Sequence, residues 1–450
     1  MAQDSLKHQR DYQSALAGLE LDTYADDPAW VHELRQDAMS RFQSLGFPTA
    51  RRGNEEWKYT DVGPVAKGSF KYAISTATPN INLDHVENAS IGDNDWNQLV
   101  FVNGAYSHSL SSISNLPEGV VAINLADAIK TTPTVIQKHL AQFAGYENEA
   151  FVALNTAFTH DGAFIYVPED TIVEHPIRLL FLSSSLSSDS EVSCQPRILI
   201  VTGDRSKASV VETYGRTSDD RYFNNAVTEI QVGNGSSLDY CKAQQQSEES
   251  FHITTTEVSL GQDSHFSSIN IDLGGKLVRN NLNLVTAGEG SSCVLNGLYL
   301  TNGIQHVDNQ IIIDHAQPFT TSRELYKGVL DGKSRSVFHG SIIVREGAVK
   351  VNANQVDKNL LLSNEAEADT KPAFWVYCDD VKCGHGAACG QMDENALFYL
   401  RSRGIPENEA RVLLVRAFVT EVIDSIPNEV LREQIGHLVQ SKLNDWALSS

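Results

Sequence analysis

Between positions 198 and 294 one short pattern recurs four times, and no other feature limits the fold as tightly. Gly203, Gly233, Gly261 and Gly288 each follow a β-prone run, at separations of 30, 28 and 27 residues. Three positions after each glycine stands a serine (Ser206, Ser236, Ser264, Ser291). Two further on comes a small or apolar residue: Ala208, Leu238, Phe266 or Cys293. One turn of such a chain cannot bury its apolar side alone, whereas stacked copies generate a continuous core along one axis. The spacing therefore predicts a β-solenoid over residues 151–362, with runs such as Ile198-Leu199-Ile200-Val201, Glu257-Val258-Ser259-Leu260 and Gln310-Ile311-Ile312-Ile313 as strands. A β-sandwich with coincidental spacing is the competing architecture.

A solenoid also accommodates 450 residues, a length beyond one ordinary compact core. Lys and Arg number 35 against 57 Asp and Glu, a net charge of −22, which disfavours nucleic acid and anionic membrane surfaces as partners. No apolar run approaches the ~20 residues that span a bilayer, and Met1 to Arg10 lacks the pattern of a secretory signal, so a cytoplasmic protein is expected. Six cysteines are too sparse for a disulfide-built fold and are expected to be thiols.

Helical patterns flank the β region. In the first region, 1–115, Leu34, Ala38, Phe42 and Leu45 fall at helical spacing, and a polar segment, Arg51-Arg52-Gly53-Asn54-Glu55-Glu56-Trp57-Lys58-Tyr59-Thr60, follows. The β core is assigned to 116–376. The last region, 377–450, begins with a Cys/His segment and continues as three helices. Asp393 caps the first, with Leu397 and Leu400 inward, and Gly404 stops it. Pro406 opens the second, with Ala410, Leu413, Leu414, Ala417 and Phe418 on one face. The third follows Pro427 and carries Leu431, Ile435, Leu438, Val439 and Leu443. Such helices cap a solenoid or present a groove to a partner.

The chemistry concentrates between Tyr377 and Gly390. Cys378, Cys383, His385 and Cys389 are soft donors suited to zinc, copper or iron-sulfur chemistry, but their spacing does not match a closed structural zinc site. Cys383 and His385, one residue apart, share one side of an extended strand. Lys382 and the flanking glycines are expected to leave the thiol accessible and lower its pKa; a buried, inert thiol is the opposing reading. Two other functions fit parts of the sequence. One is a metalloprotein closing its own site with Cys378, Cys383, His385 and Cys389. The other is an intracellular β-helix polysaccharide hydrolase using Asp308 and Asp314, near His306 and His315.

The run Cys383-Gly384-His385-Gly386-Ala387, continuing through Gly390-Gln391-Met392-Asp393-Glu394-Asn395-Ala396-Leu397-Phe398-Tyr399-Leu400-Arg401-Ser402-Arg403-Gly404-Ile405, resembles the C-terminal signature of the SufB/SufD family of iron-sulfur cluster assembly subunits. Glu55-Glu56-Trp57-Lys58-Tyr59-Thr60 is similar to a segment near the start of the same proteins. Gly386, where SufB proteins carry a glutamate, and the lack of a cysteine near Asp357 place the resemblance on the SufD side, with a SufB-like subunit as the alternative. Gly384 stands where the family pattern has a serine.

The resemblance implies a right-handed parallel β-helix flanked by helical regions. It implies a non-enzymatic scaffold that pairs with a SufB-like paralogue and docks a SufC-like ABC ATPase on its C-terminal helices, through Leu413, Leu414, Ala417 and Phe418. His385 and Cys383 match family positions at the nascent cluster, as tentative metal ligands. A transient iron-sulfur cluster at the subunit interface is implied, with no tightly bound cofactor in the isolated chain, for which a homodimer is among the expected states.

Overall fold

The computed structural model describes residues 2–21, 23–51, 54–72, 81–114, 116–184 and 191–449; Arg52 and Gly53 of the polar segment lie outside them. Its centre is a parallel β-helix of about seven turns. Each turn gives one strand to each of two sheets. The first sheet contains Arg197–Thr202, Tyr222–Val232, Phe251–Leu260, Leu277–Thr286, His306–His315, Arg335–Val344 and Glu367–Val376. The second contains Lys207–Arg216, Ser237–Gln244, His265–Asp272, Ser292–Thr301, Thr321–Leu330, Asn352–Leu361 and Lys382–Gln391.

The Gly/Ser repeat is the corner from the first sheet to the second. The hydroxyls of Ser206, Ser264 and Ser291 each donate at 2.8 Å to the carbonyl of the glycine three residues back. Ser236 donates instead to Gly203 of the preceding turn, at 2.6 Å. Glycine is required because corners stack closely: a Cβ on Gly233 would lie 2.6 Å from the Gly203 carbonyl carbon, and one on Gly288 would lie 2.0 Å from the Gln262 nitrogen. Arg205, Gly235, Asp263, Gly290, Phe319 and Lys350, each two residues before a strand, all take positive φ. One corner shape therefore persists where the sequence has lost its glycines.

Ala208, Leu238, Phe266 and Cys293 lie in register on successive strands, all buried in the lumen between the sheets, which is the main core. The outer faces are covered separately. Phe223, Phe251, Ile253 and Leu277 of the first sheet pack against Phe42 of helix Ala29–Leu45, Trp57 and Phe151. Cys241, Ile269, Ile271, Leu298 and Val329 of the second pack against the C-terminal helices. The segment ending at Thr60 is a strap across the first sheet. Arg279 lies 3.7 Å over the Trp57 ring and donates to the Glu56 carbonyl at 2.8 Å, and the Thr60 hydroxyl donates to Asp308 at 2.5 Å.

The C-terminal helices are Glu394–Ser402, Glu407–Ile423 and Glu429–Ser449. Asp393 caps the first, accepting from the amides of Asn395 and Ala396, and Gly404 leaves it at φ +88. The second buries Ala410, as expected, but with Val415, Val419 and Val422 in place of the rest of the expected face: Leu413 and Ala417 are exposed, and Leu414 and Phe418 half-buried. This helix is apolar on most sides, so the sheet it packs on, rather than its own periodicity, selects the buried stripe. On the third helix Leu431, Ile435, Val439 and Leu443 are buried.

Helices Leu125–Thr131, Pro133–His139 and Ala150–Ala157 precede the strand Gly162–Val167, and the Cys/His segment is the last strand of the last turn. Gly- and Ala-rich, that strand has little β preference of its own; its ladder with Asn352–Leu361 holds it extended. Among the described residues no helix is long and apolar enough to cross a membrane.

Candidate functional site

The inward column that begins at Ala208 runs on from Cys293 through Ser322 and Ala353 and ends at Cys383. The next inward column passes through Val210, Tyr240, Ser268, Leu295, Glu324 and Gln355 and ends at His385. The six earlier members of this second column are 0–4% exposed, whereas His385 is exposed and Cys383 half-buried. The two side chains thus share one face of a strand, roughly 7 Å apart along the chain, at the mouth of the lumen.

Opposite them, Phe374 ends a column of Val258, Leu284, Ile313 and Ile342 on the first sheet. Its ring stacks on His385 with centroids 4.6 Å apart and planes at 14°. Trp375, Val376 and Tyr377 beside it are exposed.

Lys382 does not lower the Cys383 pKa as expected. Partial burial pushes the thiol up, and a hydrogen bond with the Ala353 backbone opposes this only in part. Burial also raises Cys389, and the Asp357 carboxyl below adds to it. Cys194, Cys241 and Cys293 are buried, with burial pushing Cys194 and Cys241 up to about 12. All six cysteines are free.

The four-ligand centre does not assemble: Cys389 is six residues from Cys383 along one strand, roughly 20 Å, and among the described residues no group of three or more His, Cys, Asp or Glu converges to hold a metal. The hydrolase pair fails for the same reason. Asp308 and Asp314 lie six residues apart on one strand, roughly 20 Å, beyond the ~5–9.5 Å that glycoside hydrolysis needs. Each is also engaged elsewhere, Asp308 with Arg279 at 2.6 Å and Asp314 with Arg345 at 2.5 Å. His306 meets the Thr60 hydroxyl at 3.0 Å. His315 turns inward between Thr320 and Ser322, at 2.7 and 2.9 Å, where burial lowers its pKa to about 4.

Phe374 escaped notice in the sequence, because nothing local marks a residue that meets its partner across the lumen. The polar lumen beneath the mouth did leave a signal: in Asn352–Leu361, Gln355, Asp357 and Asn359 occupy the inward alternation, continuing columns that hold Glu212, Lys242 and Asn270, and Gln244 and Asp272, in earlier turns.

Comparison with known proteins gives a consistent relationship. A family described as the SUF-system FeS cluster assembly SufBD core domain matches residues 185–418, and the SufBD protein N-terminal region matches residues 8–179. The chain is 32% identical to an iron-sulfur cluster assembly SufBD family protein of Synechocystis, covering 91% of this chain and 90% of that one. It is 28% identical to the iron-sulfur cluster assembly protein SufD of Escherichia coli (89% and 90% covered) and 25% identical to SufD of Bacillus subtilis (93% and 95%).

Proposed function

The chain belongs to the SufBD family of iron-sulfur cluster assembly proteins, and we propose that it acts there as a SufD-type scaffold subunit without a self-contained active site. The observation that carries this reading is the open end of the β-helix, where columns sealed in every earlier turn are uncovered at Cys383 and His385. Both sheets stop there, on Glu367–Val376 and Lys382–Gln391. An unpaired strand edge of this length is a template for another chain. A SufB-like paralogue seated on it covers the mouth and brings its own donors opposite Cys383 and His385. The nascent cluster, as cargo, is then held at the boundary by ligands from two chains.

A SufC-like ABC ATPase is assigned to helix Glu407–Ile423, through Leu413 and Ala417, which are exposed, and Leu414 and Phe418, which are half-buried against the coil. That helix is tied to the coil beneath. Lys327 donates to the Phe418 carbonyl at 2.6 Å and pairs with Glu421 at 2.6 Å, and Asn296 donates to Ser425 at 2.8 Å. A nucleotide-driven displacement of the helices is thereby passed to the strands Ser292–Thr301 and Thr321–Leu330. Affinity purification of the tagged chain from its native cell tests the assignment: the chain is expected to bring down both partners, and recovery of neither overturns it.

A further inference from the structure

One and two turns below the mouth, the lumen contains carboxyls that the cluster-assembly reading does not use. Glu324 and Asp357 are 2% and 0% exposed. Among the described residues neither forms an ion pair, although the same fold neutralises another buried carboxylate, Glu229, with Arg197 at 2.5 Å. Each carboxyl has one oxygen fixed by a neighbouring amide: Gln355 Nε2 donates to Glu324 Oε2 at 2.8 Å, and Asn359 Nδ2 donates to Asp357 Oδ2 at 2.8 Å. The other oxygens, Glu324 Oε1 and Asp357 Oδ1, are buried without a hydrogen-bond partner, as is Gln355 Oε1. A buried, unpartnered acceptor is costly unless something satisfies it.

The arrangement has room made for it. A Cβ on Gly340 of the facing strand would fall 1.8 Å from Gln355 Nε2, and one on Gly328 would fall 2.4 Å from Asn359 Oδ1. Both orienting amides therefore occupy space that only glycine leaves. Above Asp357 stands Ala387, small and exposed, while Gln355 lies beneath His385, so the site is least covered on the Asp357 side.

We propose that Glu324, Gln355 and Asp357 bind a single hard divalent cation inside the last turns of the β-helix, with the Thr370 hydroxyl beside Asp357 as a further oxygen. An all-oxygen donor set with two carboxyls selects ions such as Mg²⁺, Mn²⁺ or Ca²⁺ over the thiophilic metals that Cys383 and His385 suit. Two carboxylates match the charge of one divalent ion.

Mn²⁺ titrated into the purified full-length chain and followed by electron paramagnetic resonance tests this. One Mn²⁺ per chain, displaced by excess Mg²⁺, is expected. Glu324→Gln and Asp357→Asn mimic the protonated carboxyls and preserve the fold, checked by circular dichroism; each weakens Mn²⁺ binding by roughly 100-fold. The double variant Cys383→Ser with His385→Ala leaves binding unchanged. Absence of bound Mn²⁺ at millimolar concentration, binding that survives both carboxamide changes, or binding lost with Cys383 and His385 overturns the proposal.

Discussion

His385 lies flat against Phe374 across the mouth of the last turn, ring centroids 4.6 Å apart. The contact fixes the plane of the imidazole while leaving the residue exposed, so geometry at this point depends on an aromatic neighbour from the opposite sheet.

His385→Ala is therefore expected to impair maturation of iron-sulfur enzymes in cells with little loss of stability, since a stacked pair contributes only about 0.5–1.5 kcal/mol. Phe374→Leu keeps the imidazole but frees its orientation and gives an intermediate defect. Enzyme activities in complemented cells, read beside the melting temperature, check both; full activity in His385→Ala removes the histidine from the site.

Thiol reactivity should divide the cysteines by burial. In the native chain Cys378, Cys383 and Cys389 are alkylated, while Cys194, Cys241 and Cys293 react only on unfolding. Because burial and the Asp357 carboxyl both raise Cys389, Asp357→Asn accelerates its alkylation near neutral pH. Mass spectrometry of iodoacetamide adducts over time resolves each site.

The buried Glu324 carboxyl gives a definite pH dependence. Folded, it holds its proton up to about 8, whereas the unfolded chain releases it near 4.5. The contribution to stability is complete below the lower value and disappears as pH rises through the upper one. Denaturant midpoints of the metal-free chain at pH 5 and pH 9 should show this decline, and Glu324→Gln should flatten it.

On helix Glu407–Ile423 the two faces separate docking from folding. Leu413→Asp, at an exposed position, is expected to weaken ATPase binding and leave the melting temperature nearly unchanged. Val419→Asp buries an unpaired charge at a fully enclosed position and should destabilise the chain by about 3 kcal/mol or more. Co-purification and calorimetry together distinguish the outcomes.

The β-helix was legible wherever the corner chemistry was strict. Gly203 to Ser291 carry the turn in their sequence because tight stacking admits only glycine there. Beyond Ser291 the corners at Phe319 and Lys350 keep the positive φ without the glycine signature, so later turns are invisible as repeats. The last strand, Lys382–Gln391, reads as a separate segment because neighbouring strands impose its conformation. Cys383 and His385 were placed together by the two-residue period of a strand. What the period cannot supply is anything spanning the coil, such as Phe374 over His385 or Arg279 on Trp57, 222 residues away in sequence.

The C-terminal helices lie along the second sheet rather than over its last strand, while at the other end antiparallel strands, Val121–Asn124 on Gly162–Val167 and Ala105–Tyr106 on Gln98–Val102, interrupt the parallel ladder. A coil closed off by antiparallel strands at one tip and ending in parallel edge strands at the other offers a strand edge for further pairing at one tip only.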